Sequence, residues 1–246
     1  MKRISIVLIS LFACACSMKS LTVTTIGKIA NMGQIVVTSD EDVKTAREST
    51  LPTLRLLEVF LQSKPSDKLV LTLLAKGYGQ YAFGFLEEDI LTGQDKARER
   101  AVLFYKRGKD YGLRALKIKD QPTIADFELL VKRAGKKDID AMFWTALSWG
   151  GYIDHNRDDA FAVAEVPFVT MLIDRVIELD PSYEYGSALA IKASLMASKP
   201  KMLGGDPEAA RAMFVRSVQT NPDYLMNKVV YADRYAWVVG DTSLFK

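Results

Sequence analysis

The chain has 246 residues, of which 49% are hydrophobic and 26% are charged, and its 33 basic and 30 acidic residues give a formal net charge of +3. This is the composition of a globular protein, with enough residues for one sizeable core or a row of small stacked units. Removing residues 1–15 deletes Lys2, Arg3 and no acidic residue, so the net charge falls from +3 to +1. A nucleic-acid-binding protein needs a concentrated basic face, so this class is excluded.

The N-terminal segment has the pattern of a secretory signal peptide. Lys2 and Arg3 precede an apolar run from Ile4 to Ala15. A run of about a dozen apolar residues is too short to span a bilayer as a mature anchor. We therefore expect the segment to direct export and then to be removed.

The apolar run ends in LFACACS, which resembles the lipobox of a lipoprotein. In such proteins an acylated cysteine becomes the new N-terminus and anchors the chain without spanning the membrane. Cys14 has Leu11 three positions before it and Ala13 directly before it, so the pattern alone slightly favours Cys14 over Cys16. The chain has no other cysteine, so the folded part has no disulfide, no thiol nucleophile and no cysteine metal site.

From about residue 42 onward the apolar residues recur with helical spacing, and the segment 31–38 is a weak strand candidate that we interpret as a connector. No Pro-, Gly- or Ser-rich linker divides the chain. The predicted organisation is a lipoprotein signal peptide over residues 1–15, a lipidated cysteine and tether over 16–41, and one helical domain over 42–246. Helices are predicted over residues 42–62, 67–88, 95–116, 123–134, 138–152, 158–179, 184–198, 206–219 and 223–238.

The segment KMLGGDPEAARAMFVRSVQTNP, residues 201–222, resembles the second half of a tetratricopeptide (TPR) unit. Ala210, Phe214 and Ser217 follow a small–aromatic–small order, and Pro222 ends the segment. Small residues let two helices approach, and the aromatic ring fills the gap between them. Weaker copies of the same order occur at Thr53, Leu57, Phe60 and Pro65, at Ala101, Tyr105 and Gly108, and at Val169, Ile173, Val176 and Pro181.

These copies predict an all-α fold of stacked, degenerate TPR-like helical hairpins that form one compact solenoid-like domain. The spacing between copies is irregular, because Pro181 to Pro222 is longer than one standard repeat. The alternative is an irregular helical bundle.

Several segments together resemble the T-component lipoproteins of TRAP transporters, which are tripartite periplasmic uptake systems. Generic TPR proteins lack the SDED, YKRGKDYG and LGGDPEAAR blocks of this chain. The lipobox of the family ends in a cysteine followed by serine, which maps onto Cys16, although Ala15 stands where glycine is commoner. The likeness covers most of the chain and includes VVTSDEDVKTARESTLPTLRLLEVFLQSKP, LLAKGYGQYAFGFLEED, RAVLFYKRGKDYGLRAL, FWTALSWGGYI, IELDPSYEYGSALAI and KVVYADRYAW.

The resemblance implies a membrane-anchored, periplasm-facing protein without enzymatic activity. It also implies a solute-binding P-component as the partner, because that component hands small ligands, often organic acids, to a membrane permease. The ligand of the T-component itself would be a small organic acid or a hydrophobic molecule in a helical cavity. A homo-oligomer, specifically a trimer, is implied as well.

The residue supply argues against catalysis. The single histidine, His155, lies in YIDHNRDD between two predicted helices, so neither a Cys/His dyad nor a multi-histidine zinc site can form. The acidic runs 87–89 and 154–159 lie at predicted helix ends, whereas a glycosidase needs two carboxylates facing each other across a cleft. We expect no catalytic residue, no cofactor and no metal.

A binding face is better supported by the spacing. Arg107, Tyr111 and Arg114 stand at positions i, i+4 and i+7, so they share one face of a helix. A guanidinium group matches a carboxylate through paired hydrogen bonds, so this face could bind an organic acid. The alternative is that the two arginines pair with nearby acids or cap the next helix.

Aromatic and amide side chains extend the set of candidate ligand-binding residues. In stacked helical hairpins most such rings fill the space between helices, and a few line cavities. Asp40 and Asp42 of the SDED block are expected to cap the first helix. The added candidates are Tyr78, Gln80, Tyr81, Trp144 and Trp149.

Two functions of different classes remain. The first is an accessory subunit that docks a solute-binding protein, with or without its own ligand cavity. The second is a TPR lipoprotein scaffold for envelope assembly, which would bind peptides or other lipoproteins.

Overall fold

The computed structural model describes residues 39–119, 122–198, 205–236 and 239–245, and every regular element in these ranges is a helix. The all-α class is therefore confirmed. The predictions for the signal peptide, Cys14, Cys16 and the connector at 31–38 lie outside the described residues. The chain divides into two compact units, with the boundary between residues 119 and 120.

The first unit is built around its second helix, α2, which packs against α1 and α4. Helix α1 begins after Asp42, whose carboxylate accepts the backbone N–H of Lys44 at 3.0 Å. Helix α2 begins after Asp67, which accepts the N–H of Val70 at 3.1 Å. Such caps satisfy the free N–H groups of a first helical turn. The elements are α1 Val43–Ser63, α2 Lys68–Tyr81, a π turn Ala82–Leu86, α3 Glu87–Leu91 and α4 Ala97–Ala115.

The apolar stripes of the sequence form the core of this unit. The stripe of α1 is buried, and so is that of α2, while Ala101 and Tyr105 of α4 are also buried. Burial of these side chains, at about 25 cal/mol per Å² of apolar surface, is the main stabilising contribution. The stripe residues are Leu54, Leu57 and Leu61 on α1, and Leu71, Leu74, Tyr78 and Tyr81 on α2.

The second unit contains the remaining helices. Within it α6 packs against α8, α8 against α9, and α9 against α10. The elements are α5 Ile124–Arg133, a 3₁₀ turn Lys136–Asp138, α6 Ile139–Asp154, α7 Ala160–Ala164, α8 Val166–Leu179, α9 Tyr183–Ala197, α10 Pro207–Thr220, α11 Leu225–Tyr231, a π turn Ala232–Ala236 and α12 Thr242–Phe245.

The helix predicted over 158–179 is divided into α7 and α8 in the structure. The break falls at Glu165, two residues before Pro167. Proline has no N–H to donate, and its ring clashes with the carbonyl four residues earlier, so it disfavours a helix interior and suits the first turn. Pro167 lies in the first turn of α8, which fits a break at Glu165, whereas Pro52 is accommodated inside α1.

The small–aromatic–small positions of the segment 201–222 are buried as helix packing requires. Ala210 and Phe214 of α10 are fully buried and belong to one hydrophobic cluster with Ala190, Ala193 and Ala197 of α9. Alanine allows the two helix axes to approach, and the Phe214 ring fills the remaining space. The assignment of these helix pairs as TPR units stays a prediction.

Each unit has a π turn within the described residues, Ala82–Leu86 in the first and Ala232–Ala236 in the second. In both places the sequence reads Tyr-Ala-x-x-aromatic. A π turn widens the helix locally and often lies at a site with a special packing requirement. The repeated sequence indicates that both turns meet the same requirement.

In each unit the tyrosine before the π turn helps to raise the pKa of an arginine on the preceding helix. Asp89, and to a smaller degree the Tyr81 hydroxyl, raise the pKa of Arg47 on α1. The Tyr231 hydroxyl raises the pKa of Arg211 on α10.

Near its start, helix α9 contains three consecutive residues in the left-handed region. The φ angles are 44° at Glu184, 62° at Tyr185 and 81° at Gly186. The amide of Asn227 donates to the carbonyl of Tyr185 at 2.8 Å, and the hydroxyl of Ser217 donates to the carbonyl of Gly186 at 2.9 Å. Side chains of α10 and α11 therefore hold a backbone that non-glycine residues adopt only at a cost.

Replacing Gly186 with alanine should destabilise the second unit. The new Cβ would lie 3.0 Å from the Cβ of Thr220, at a residue whose φ is +81°. We expect a loss of more than about 1 kcal/mol in the free energy of unfolding, because both the left-handed backbone and the contact disfavour a side chain.

Urea unfolding of Gly186→Ala and of a control, Gly84→Ala, measures this effect. A Cβ at Gly84 would meet no atom within 4 Å, and alanine favours a helical backbone, so the control should keep or raise the wild-type midpoint. An unchanged midpoint for Gly186→Ala would contradict the prediction.

Candidate functional site

One carboxylate joins the three longer helices of the first unit. Oε1 of Glu58 on α1 accepts hydrogen bonds from the hydroxyl of Tyr78 on α2 at 2.7 Å and from that of Tyr111 on α4 at 2.9 Å. Its Oε2 accepts a hydrogen bond from Arg55 at 2.7 Å. The Glu58 side chain is only 18% exposed, so these bonds satisfy a charge that would otherwise be costly to bury.

The two tyrosines bonded to Glu58 also stack on each other. The ring centroids of Tyr78 and Tyr111 are 5.9 Å apart with an interplanar angle of 16°. Phe104 meets the Tyr78 ring edge-on at 5.3 Å. Because the shared carboxylate fixes both hydroxyl groups, the rings form a rigid aromatic platform beneath the arginines of α4.

Arg107 and Arg114 both lie over this platform. The guanidinium carbon of Arg107 is 5.5 Å from the Tyr78 centroid and 5.7 Å from that of Phe104. That of Arg114 is 5.4 Å from the Tyr111 centroid. These are cation–π distances, and an arginine held by its face keeps its N–H edge available.

The two arginines differ in their hydrogen bonding. Arg114 donates to the backbone carbonyl of Pro65 at 2.9 Å, which is neither an acid partner nor a helix cap. Half-buried Arg107 makes no hydrogen bond or ion pair with any residue that the structure describes. Arg107 is therefore the better candidate for binding an anion from solution.

Comparison with known proteins places this site in a family. The family model described as TRAP transporter T-component matches residues 39–246, which is most of the chain. The chain belongs to the TRAP transporter T-component family. The resemblance drawn from the sequence is confirmed, and membership indicates an accessory role in a transporter with a periplasmic or membrane-associated location.

This T-component is also similar to an uncharacterised protein of Treponema pallidum (strain Nichols). The two are 24% identical over 225 residues, which cover 80% of this chain and 66% of the other.

Among the helices that the structure describes, none is both long and apolar enough to cross a membrane.

The electrostatics of the T-component site follow from the shared carboxylate. Burial alone would raise the pKa of Glu58, but the hydrogen bonds from Tyr78, Arg55 and Tyr111 outweigh it, and the pKa is lowered. Burial and the bond to Glu58 raise the pKa of Tyr78 to about 12 and also raise that of Tyr111. At neutral pH the carboxylate is therefore charged and both phenols are neutral donors.

The other candidate residues lie at the edge of this site or in the second unit. Tyr81 is buried, with its ring 5.3 Å from that of Phe104 and 5.1 Å from that of Phe85. Gln80 is half-buried, and Trp144 and Trp149 are buried in the second unit. The described structure therefore groups Tyr78, Arg107, Tyr111 and Arg114, with Tyr81 beside them through Phe104.

Trp149 and Trp144 have packing partners in their own unit. The indole N–H of Trp149 donates to Glu165 at 2.6 Å, and its ring stacks on Phe168 at 5.4 Å. Trp144 meets Phe143 edge-on at 4.9 Å. His155, predicted between helices, follows the last residue of α6.

The sequence analysis missed Glu58 and Arg55. Glu58 stands beside Leu57 on the buried side of α1, and an acidic residue next to an apolar stripe is a usable signal because it needs a partner. Its partners are 20 and 53 positions away. Helical spacing therefore could not identify them.

The Glu58→Gln variant should be less stable than the wild type at neutral pH. An amide keeps one acceptor oxygen but loses the charge that strengthens the three bonds, which costs about 1–2 kcal/mol. Because the folded pKa of Glu58 is lowered, this contribution is present above the unfolded pKa of about 4.3 and is lost as pH falls through the folded value.

Urea unfolding at pH 7, 5, 4 and 3 measures the difference between the two proteins. We expect a constant gap down to about pH 5 that narrows below pH 4. Glu48→Gln is the control, since Glu48 is 69% exposed, and its gap should stay near zero. A Glu58→Gln gap that widens with acid would exclude the hydrogen-bonded carboxylate.

Proposed function

We propose that this T-component is a lipoprotein that faces the periplasm and docks the solute-binding P-component of its transporter. The N-terminal sequence supports the anchor, because Lys2, Arg3 and an apolar run precede Cys14 and Cys16. Export followed by acylation at Cys16, with Cys14 as the alternative, would attach the domain by its N-terminus. The match to the T-component family supports the partner.

The ligand of the site is, in this proposal, a small organic acid. The observation that carries it is Arg107, whose guanidinium lies on the Tyr78 and Phe104 rings without a hydrogen-bonding partner among the described residues. Such a group can form a bidentate bond with a carboxylate. The site supplies an anchored cation and aromatic surface and no nucleophile, so its role is to bind and not to catalyse.

Self-association is part of the same proposal. The resemblance to T-component proteins implies a homo-oligomer, specifically a trimer. An anchored oligomer would present several copies of the docking surface to P-components at one membrane site, which raises the effective local concentration of the partner.

Co-sedimentation tests the anchor and the docking together. Membranes that carry the wild-type chain should bring purified P-component into the pellet. Cys16→Ser should release the chain into the supernatant, where it should still co-purify with the P-component, whereas Cys14→Ser should pellet like the wild type.

Two outcomes of the co-sedimentation would contradict these expectations. If Cys14→Ser releases the chain into the supernatant and Cys16→Ser does not, the acylated residue is Cys14. A P-component that stays in the supernatant with wild-type membranes at micromolar concentrations would exclude docking.

A carboxylate titration tests the arginine face. Benzoate is a suitable probe, because it joins one carboxylate to a flat apolar ring. We expect Arg107→Ala to weaken benzoate binding by about tenfold or more, which is the loss of one charged, paired hydrogen bond. Arg114→Ala should have a smaller effect, because its guanidinium is engaged with Pro65.

The control for this titration is Arg98→Ala, which removes an arginine from the first turn of the same helix. It should leave the affinity unchanged, and all three variants should keep the wild-type circular dichroism. Equal affinity for Arg107→Ala and wild type would exclude the arginine face, and a loss of helical signal in that variant would assign Arg107 to the structure.

A further inference from the structure

A polar cleft of about 340 Å³ lies where α3 leads into α4. The connecting loop bends through left-handed residues at Gly93 and Lys96, with φ angles of 72° and 55°. The N–H of Gln94 donates to the carbonyl of Asp89 at 2.9 Å, which fixes the loop. The cleft is lined by Arg47, Asp89, Gln94, Asp95, Ala97 and Arg100.

Two of the lining residues form an ion pair that is already satisfied. The two terminal nitrogens of the Arg47 guanidinium donate to the two carboxylate oxygens of Asp89, which is 9% exposed. The Arg47 guanidinium carbon also lies 5.7 Å from the Phe85 centroid. Because Arg47 and Asp89 satisfy each other, we assign this pair an architectural role.

Two other lining residues carry charges of opposite sign. Asp95 and Arg100 both line the cleft, yet within the described ranges they form no ion pair with each other or with another residue. The side-chain amide of Gln94 also has no hydrogen-bonding partner in that part of the chain. The cleft thus presents one cation, one anion and one amide without internal partners.

We propose that this cleft binds a small zwitterion, a molecule of the size of a free amino acid with a carboxylate and an ammonium group. Arg100 would bind the carboxylate, Asp95 the ammonium group and Gln94 a polar side chain. The volume suits a molecule of this size. The proposal is independent of the ligand assigned to Arg107.

The charge balance of the lining selects this ligand class. Two arginines and two aspartates line the cleft, and Arg47 and Asp89 neutralise each other. A dianion would therefore face Asp95, and a dication would face Arg100, so each would meet a like charge. An apolar ligand would have to desolvate these charged groups without replacing their hydrogen bonds.

Calorimetric titration of the full-length chain in detergent with L-glutamine, succinate and putrescine tests the proposal. These probes are similar in size and differ in charge. We expect saturable binding of L-glutamine in the wild type, and in Arg107→Ala no saturation by succinate or putrescine at the same concentrations. Because succinate can reach the other arginine face, each titration is repeated in Arg107→Ala, where the glutamine affinity should be unchanged.

Variants of the two unpaired charged residues test whether glutamine binds in this cleft. Arg100→Ala and Asp95→Asn should each weaken glutamine binding by about tenfold or more, while Arg98→Ala, in the same helical turn as Arg100, should not. Both replaced side chains are exposed and have no partner among the residues that the structure describes, so the fold should survive, as circular dichroism would verify.

Three results would overturn the proposal. The first is that glutamine shows no saturable binding below about 10 mM, since binding weaker than that is not specific. The second is that succinate or putrescine binds Arg107→Ala as tightly as glutamine does. The third is that both Arg100→Ala and Asp95→Asn keep the wild-type affinity for glutamine.

Discussion

The arrangement of the first unit depends on one acceptor, the carboxylate of Glu58. Its bonds connect α1 with α2 and α4, through Tyr78 and Tyr111, which are 20 and 53 positions from Glu58 along the chain. Without this acceptor two largely enclosed hydroxyl groups would lose their partner, and the stacked rings would lose the contact that sets their orientation. The position of Arg107 over those rings is a consequence of this constraint.

The sequence predicted the helices well because their apolar stripes are local signals, repeated every three or four residues. It also predicted that Arg107, Tyr111 and Arg114 share a face, which is a property of one helix. It did not predict the break before Pro167 or the partners of Glu58. The break lies within a segment whose apolar residues keep helical spacing throughout, so the spacing alone did not reveal it. The partners of Glu58 depend on how α1, α2 and α4 pack, and spacing along the chain does not encode that packing.

The two ligand sites proposed for the first unit differ in charge and in the reason why their charged groups have no partner. At the arginine face a cation rests on aromatic rings, and the neighbouring acid is already bonded by Tyr78, Tyr111 and Arg55. In the cleft an anion and a cation line the same space and do not pair. If both proposals hold, the first unit binds two kinds of small molecule at separate places.

Nitrogen-detected spectra of the arginine side chains test the central claim most directly, because they report which guanidinium meets a carboxylate. With rising benzoate the Nε–H resonance of Arg107 should move to saturation, whereas that of Arg114, held by the Pro65 carbonyl, should move little. Equal small shifts for all arginines, or an unchanged Arg107 resonance beside shifts elsewhere, would contradict an anion site built on the Glu58-bonded tyrosines.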